Sequence, residues 1–128
     1  MPHITIEYSS NVADRTNIQR LVERVHRAAL DTGAVPLSGL RTRAFPALHY
    51  LVGDGHPESG YLAVFARLAA GRTPEQRAAV ISSIAEAVET ALGAGVKGLA
   101  ISVEYIEIEP EFRVNLNHVV LRSTESAS

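Results

Sequence analysis

One pattern occurs twice in these 128 residues, and it constrains the fold more than any single motif does. A short alternating strand, an amphipathic helix and a second extended stretch follow His3, and the same order restarts at Tyr61. A repeat at the level of a whole supersecondary unit implies one module used twice. In a β-α-β module the two strands are parallel and the helical crossover is right-handed.

The first unit opens with Ile4, Ile6 and Tyr8 on one face and His3, Thr5 and Glu7 on the other, which is the period of a half-buried strand. Turn and cap residues fill 9–14. Ile18, Leu21, Val22, Val25 and Ala29 then recur at helical spacing, and Gly33 suits the left-handed position that ends a helix. LRTRAF at 40–45 alternates again. Pro46 interrupts it and 48–52 resumes, which reads as two short strands or one bent strand at a sheet edge. The segment 53–60 is a turn. In the second unit 61–68 is a strand. Thr73 is an N-cap, Pro74 stands at the first helical position and Gln76 completes a capping box. Ile81, Ile84, Val88 and Leu92 form the apolar stripe, Gly93 ends it, and 99–108 is the strongest strand. The stretch after 108 reads as loop with room for a short terminal strand, and 123–128 as a fraying polar tail.

The expected architecture is α+β: two tandem β-α-β units sharing one mixed sheet, with both helices on one face. It is a single domain over 1–122, with halves of about 1–58 and 59–122. The uncovered face would carry His3, Thr5, Ala63, Phe65, Ala100 and Ser102. That is a poor solvent surface, so it predicts an oligomer through this face, with a monomer whose open face is polar as the rival.

Composition works by exclusion. A net charge of −2 with 20% charged residues gives no global attraction to nucleic acid or an anionic membrane. Positive potential must come from local arginines. The absence of cysteine excludes disulfides, thiolate metal sites and a cysteine nucleophile. The five histidines lack metal-ligand spacing, so no metal is expected. No apolar run reads as reaching the ~20 residues that span a bilayer. A strand begins at residue 3 without a charged and apolar leader, so the chain is expected to be cytoplasmic.

Several residues carry two readings. Pro2 stands before a strand, where a proline is tolerated but contributes no donor; it marks either an unimportant terminus or a nitrogen wanted as a free amine. Arg72 precedes a helix, where a cation is disfavoured by the helix dipole but suits an anion bound at the free N–H groups. Arg41 and Arg43 share one strand face. They repel unless an anion or acidic group lies between them, or else they are solvated at an edge. His26 reads as a surface residue within its helix, and Phe45 and Tyr50 as core. Glu7 and Glu104 read as strand neighbours paired with arginine.

MPH at the start, TGAVPLSGLRTR at 32–43 and LAAGRTPEQ at 68–76 together resemble the tautomerase superfamily. The last stretch and its helix are similar to 4-oxalocrotonate tautomerase, and the first two to the 5-carboxymethyl-2-hydroxymuconate isomerase branch, which carries two β-α-β units in one chain. The resemblance covers nearly the whole chain and is weakest at 44–60, where AFP departs from the aromatic pattern of the family. It implies a homotrimer and a cofactor-independent isomerase that ketonises a dienol di- or tricarboxylate in homoprotocatechuate catabolism. It also implies that Met1 is removed and that Pro2 is the general base, with Arg41, Arg72 and Arg43 binding substrate carboxylates. The matching positions of the second unit, Tyr61 and Leu62, are internal and offer no amine. Two alternatives stay open: another tautomerase-type reaction (dehalogenase, hydratase or decarboxylase), or a non-catalytic oligomeric carboxylate-binding protein in which Met1 keeps Pro2 as an amide.

Overall fold

The computed structural model describes residues 1–122; the polar tail read at 123–128 lies outside the described residues. Four strands and two helices follow in the order β1 (His3–Ser9), α1 (Ile18–Asp31), β2 (Arg41–Ala47), β3 (Gly60–Ala69), α2 (Pro74–Leu92) and β4 (Leu99–Ile108). The sheet order is β2-β1-β3-β4. β1 pairs β2 in parallel and β3 pairs β4 in parallel, while β1 and β3, at the centre, run antiparallel. This is the doubled β-α-β unit in a mixed sheet, as expected.

Alternation along the strands decides which face is covered. Ile4 and Ile6 of β1 and Leu62, Val64, Ala66 and Leu68 of β3 are buried, and Leu21, Val25, Ala29, Val80, Ile84, Val88 and Leu92 of the helices pack in the same cluster. Each fully buried Leu, Ile or Val stabilises the fold by roughly 1.5–3 kcal/mol. The α2 stripe therefore begins at Val80, not Ile81, which is only half-buried. The i, i+4 row from Val80 meets the sheet squarely, and Ile81 falls on its flank. The capping box at Thr73 and Gln76 forms as read, with Pro74 at the helix start. α1 is capped instead by Asn17, whose side chain accepts from Arg20 N.

Three expectations change. β2 is one continuous edge strand that carries Pro46 opposite Tyr8, and 48–52 forms no strand. An edge has a free side on which a missing N–H costs nothing. Leu48 and Leu51 are exposed as a result, and so is Phe45, which is not in the core. The segment after 108 forms a 3₁₀ turn at Pro110–Phe112 and then an extended strap without strand pairing. By length and composition Pro74–Val96 is apolar enough to cross a membrane, yet its Val80, Ile84, Val88 and Leu92 are buried in the core against the sheet.

Gly60 shows how tightly the two units join. The Ser9 hydroxyl accepts from Tyr61 N at 2.8 Å and donates to Asn11 Oδ1 at 2.7 Å. A Cβ on Gly60 would lie 2.6 Å from Asn11 Oδ1 and 2.7 Å from Ser9 Oγ, so only glycine fits.

Candidate active site

The start of β1 enters the sheet between β2 and β3, and this places the chain terminus among arginines from several elements. Pro2 is buried, its carbonyl accepts from Arg41 N at 3.1 Å, and its ring lies against Gly39, where a Cβ would stand 3.1 Å from Pro2 Cδ. A larger residue at 39 would push the terminus away.

Arg41 opens β2 beside His3 in the register. Its Nη1 donates to the carbonyls of Ser38 (3.0 Å) and Leu40 (3.3 Å), and Nη2 donates to Asn117 Oδ1 at 3.2 Å. Arg72 comes from the other unit. Its Nε donates to Ala34 O at 2.8 Å and its Nη1 to Ala69 O at 3.0 Å, so one guanidinium ties the α1–β2 loop to the end of β3. Gly71, at φ +120°, lets the chain double back to make this contact. In both cases backbone carbonyls hold the cation in place without neutralising its charge.

A third arginine arrives from the strap. Asn115, with its carboxamide oxygen turned to the terminus, accepts from the Met1 amine at 3.0 Å and also from Arg113 Nη1. Arg113 Nε is buried with no hydrogen-bond partner. Leaving a buried donor unmatched costs about 1–3 kcal/mol. Asn117 completes the strap's attachment, since its Nδ2 donates to Ser38 O at 3.0 Å.

The amine responds to this setting. Its pKa lies below the ordinary value, first because burial disfavours the charged form and then because Arg113, Arg41 and Arg72 repel it. No carboxylate among the described residues acts in the opposite direction. Among the described residues the one ion pair is Arg77–Glu107 at 2.9 Å, on α2 and β4. The terminus is thus a place where a cation is unfavourable and an anion is welcome.

Arg43 is turned elsewhere. Its Nη1 lies 3.1 Å from His3 Nδ1, and it is not among the charges that act on the amine. A guanidinium can only donate, so His3 accepts through Nδ1 and carries its proton on Nε2. Burial, then Arg43, Arg67, the amine and Arg41, hold the His3 pKa below its ordinary value, which keeps the ring neutral. Glu7 pairs with the Tyr61 hydroxyl and not with an arginine, and this contact, with burial, pushes the tyrosine up to about 12. Glu104 stands opposite Phe65 and is exposed. His26 is half-buried with Nδ1 2.8 Å from Thr42 Oγ1, because α1 crosses over β2 there. Tyr50 packs edge-on against Tyr61, with ring centroids 6.5 Å apart. Among the described residues no cluster of three His, Asp or Glu side chains could hold a metal.

The family model described as 5-carboxymethyl-2-hydroxymuconate isomerase matches residues 2–122. The chain belongs to that family. The isomerase is 27% identical over 121 residues to the 5-carboxymethyl-2-hydroxymuconate Delta-isomerase of Escherichia coli, a match spanning 93% of this chain and 96% of the relative. Among solved structures it overlays on a 5-carboxymethyl-2-hydroxymuconate isomerase from Deinococcus radiodurans R1 with TM-score 0.84 at 23% identity, covering 91% of this chain and 90% of that one. A fused 4-OT described as a wild-type asymmetric trimer overlays with TM-score 0.68 at 20% identity, covering 88% and 91%. At these identities the structures show the shared tautomerase fold, while the family match makes this isomerase an enzyme of that class.

Sequence reasoning placed Arg41 and Arg72 where the structure brings them, and it missed Arg113, Asn115 and Asn117. A signal for them is present. In RVNLN at 113–117 polar and apolar residues alternate, and an extended chain sends them to opposite sides. The polar set faces the terminus, whereas Val114 and Leu116 are exposed. Reading the segment as loop passed over that alternation.

Proposed function

We propose that this isomerase ketonises 5-carboxymethyl-2-hydroxymuconate, or a similar dienol with two or three carboxylates, using the amine of Pro2 as its base. The observation that carries the reading is the terminal amine of Met1, one residue from Pro2, partly desolvated and faced by three guanidiniums, with no carboxylate among the described residues acting on it. An α-amine normally titrates at ~7.7–8.0, so it is mostly protonated at neutral pH. A lowered pKa increases the share of free base at neutral pH, and a general base works best when its pKa lies near the working pH. With Met1 in place Pro2 is an amide and has no basic lone pair. Removal of Met1 leaves a secondary amine in the same field of charge.

The electrons move in one direction through the conjugated chain. The Pro2 nitrogen takes the proton of the 2-hydroxyl, and the oxygen lone pair becomes the C2 carbonyl. The C2=C3 pair shifts to C3=C4, and the C4=C5 pair takes a proton at C5 from the prolinium just formed. One group serves as base and then as acid, so no second titrating residue is needed. Arg41 and Arg72 hold carboxylates and spread the negative charge of the dienolate, a form of stabilisation usually worth more than the proton transfer itself. A hydratase or dehalogenase reading wants a carboxylate beside the amine to activate water. Glu7, on β1, is engaged by Tyr61 instead.

Loss of the dienol's ultraviolet absorbance tests the reading, using protein whose mass shows Pro2 at the terminus. Ketonisation well above the buffer rate is expected, and a rate equal to the buffer rate would remove the assigned reaction.

The working form is proposed to be a homotrimer. The sheet face opposite the helices carries partly exposed Phe65 and exposed Ala100 and Ser102, and the strap adds Phe112, Val114 and Leu116, which are 75–83% exposed. Large exposed apolar side chains of this kind suit an interaction site, and a related fused 4-OT is a trimer. Sedimentation is expected to give three times the chain mass, with Val114→Asp/Leu116→Asp shifting it to the monomer. A monomeric wild type would rule the trimer out.

A further inference from the structure

We propose that Arg113 is a third carboxylate-binding residue of this site and makes it prefer a substrate with three carboxylates over one with two. The inference deepens the isomerase reading and rests on it. Arg41 and Arg72 are each anchored to backbone carbonyls, two apiece, so their guanidiniums point in fixed directions. Two such cations suffice for a dicarboxylate. Arg113 is a third, from a separate segment, and it is held differently. It touches only the carboxamide oxygen of Asn115, which it shares with the terminal amine, and its Nε has no partner. A guanidinium presents its donors in a fixed fork suited to a carboxylate. The Arg113 side chain is half-buried, and a fork whose buried Nε has no partner among the described residues is matched when such a group arrives.

Position supports the same conclusion. Among the cations acting on the amine Arg113 is the strongest, ahead of Arg41 and Arg72. Asn115 bridges Arg113 to the terminus, and Asn117 bridges the same strap to Arg41 and to Ser38. Removal of Met1 frees the Asn115 oxygen and opens the space beside it. A substrate whose hydroxyl reaches the Pro2 nitrogen then has Arg41, Arg72 and Arg113 around it. The dienol named by the family carries three carboxylates: two end the muconate chain and one belongs to the carboxymethyl branch. Plain 2-hydroxymuconate has the first two only. A site that hydrogen-bonds a polar group discriminates strongly against the analogue lacking it, because its own groups are left unpaired.

The test compares wild type, Arg113→Gln and Arg113→Lys on both dienols, with every sample processed to Pro2. Wild type is expected to favour the tricarboxylate. Arg113→Gln should lose about 10- to 100-fold in kcat/KM on it, mostly through KM, and less than about 5-fold on 2-hydroxymuconate. Arg113→Lys should recover part of the preference, since it keeps the charge without the fork. An equal loss on both substrates would assign Arg113 to the amine or to the fold and overturn the proposal, and so would no loss on either. Calorimetry with two saturated acids, 2-(carboxymethyl)adipate and adipate, reads the same preference without turnover. If wild type ketonises neither dienol, the reaction assignment falls while a preference for the triacid that Arg113→Gln abolishes keeps the binding role. If wild type binds both acids equally, the binding role falls whatever the turnover.

Discussion

Protein that keeps Met1 is expected to turn over the dienol about 10²- to 10⁴-fold more slowly than the same protein starting at Pro2, the range a general base contributes. The reason is electronic. In Met1–Pro2 the proline nitrogen is an amide, its lone pair is delocalised into the carbonyl, and it accepts no proton at neutral pH. The Met1 amine itself is misplaced, because it is held by Asn115 at 3.0 Å and stands one residue beyond the nitrogen that should react. Two preparations distinguished by intact mass supply the comparison. Pro2→Ala with Met1 removed should fall less far, since alanine leaves a primary amine in the same field, but it gives up the ring that lodges against Gly39 and fixes the nitrogen's direction. Equal rates with and without Met1 would dispose of the N-terminal base altogether.

The reading of the fold succeeded where local chemistry and periodicity agree. The capping box at Thr73, the alternation of Ile4, Ile6 and Tyr8, and the helical row Leu21, Val25 and Ala29 each specify an element and its buried face, and the sheet uses them that way. The failures occur where tertiary context decides. The edge position read from Pro46 holds, but whether the strand breaks there or runs on to Ala47 depends on the free side of β2, a property of the whole sheet. Ile81 and Val80 are equally apolar, and only the docking angle of α2 chooses between them.

The site divides in the same way. Arg72 is visible at the approach to a capped helix, and Arg41 through the resemblance carried by TGAVPLSGLRTR at 32–43. Arg43 has the same alternation as Arg41, and its attachment to His3 becomes apparent only once β1 lies beside β2. Arg113, with Asn115 and Asn117 beside it, is distant in sequence from Pro2, Arg41 and Arg72, and its chemistry alone does not say that the strap returns to the terminus. Long-range return of an irregular segment leaves no periodic mark apart from the alternation at 113–117.

Arg41 and Arg43 therefore make a sharp comparison, since they are two residues apart on one strand face. Arg41→Ala is expected to lower kcat/KM about 10²- to 10³-fold, the scale for removing one donor that meets developing charge. Arg43→Ala should stay within a few-fold, because its guanidinium is engaged with His3 and does not act on the amine. The pH profile separates charge from structure. The base is active when neutral, so activity falls below its pKa. Burial first, and then Arg113, Arg41 and Arg72, lower the pKa of the Met1 amine, and the same charges are expected to lower that of a Pro2 amine and so to extend activity toward acid. Deleting Arg41 removes one repulsion and raises the pKa, so the acid limb of kcat/KM should move to higher pH. Arg43→Ala should leave that limb where it is. If Arg41→Ala reduced the rate with an unmoved limb, its part would lie in holding the substrate or the loop and not in tuning the base. If Arg43→Ala moved the limb, the amine would lie within reach of that guanidinium after all, and the ranking of the two arginines would reverse.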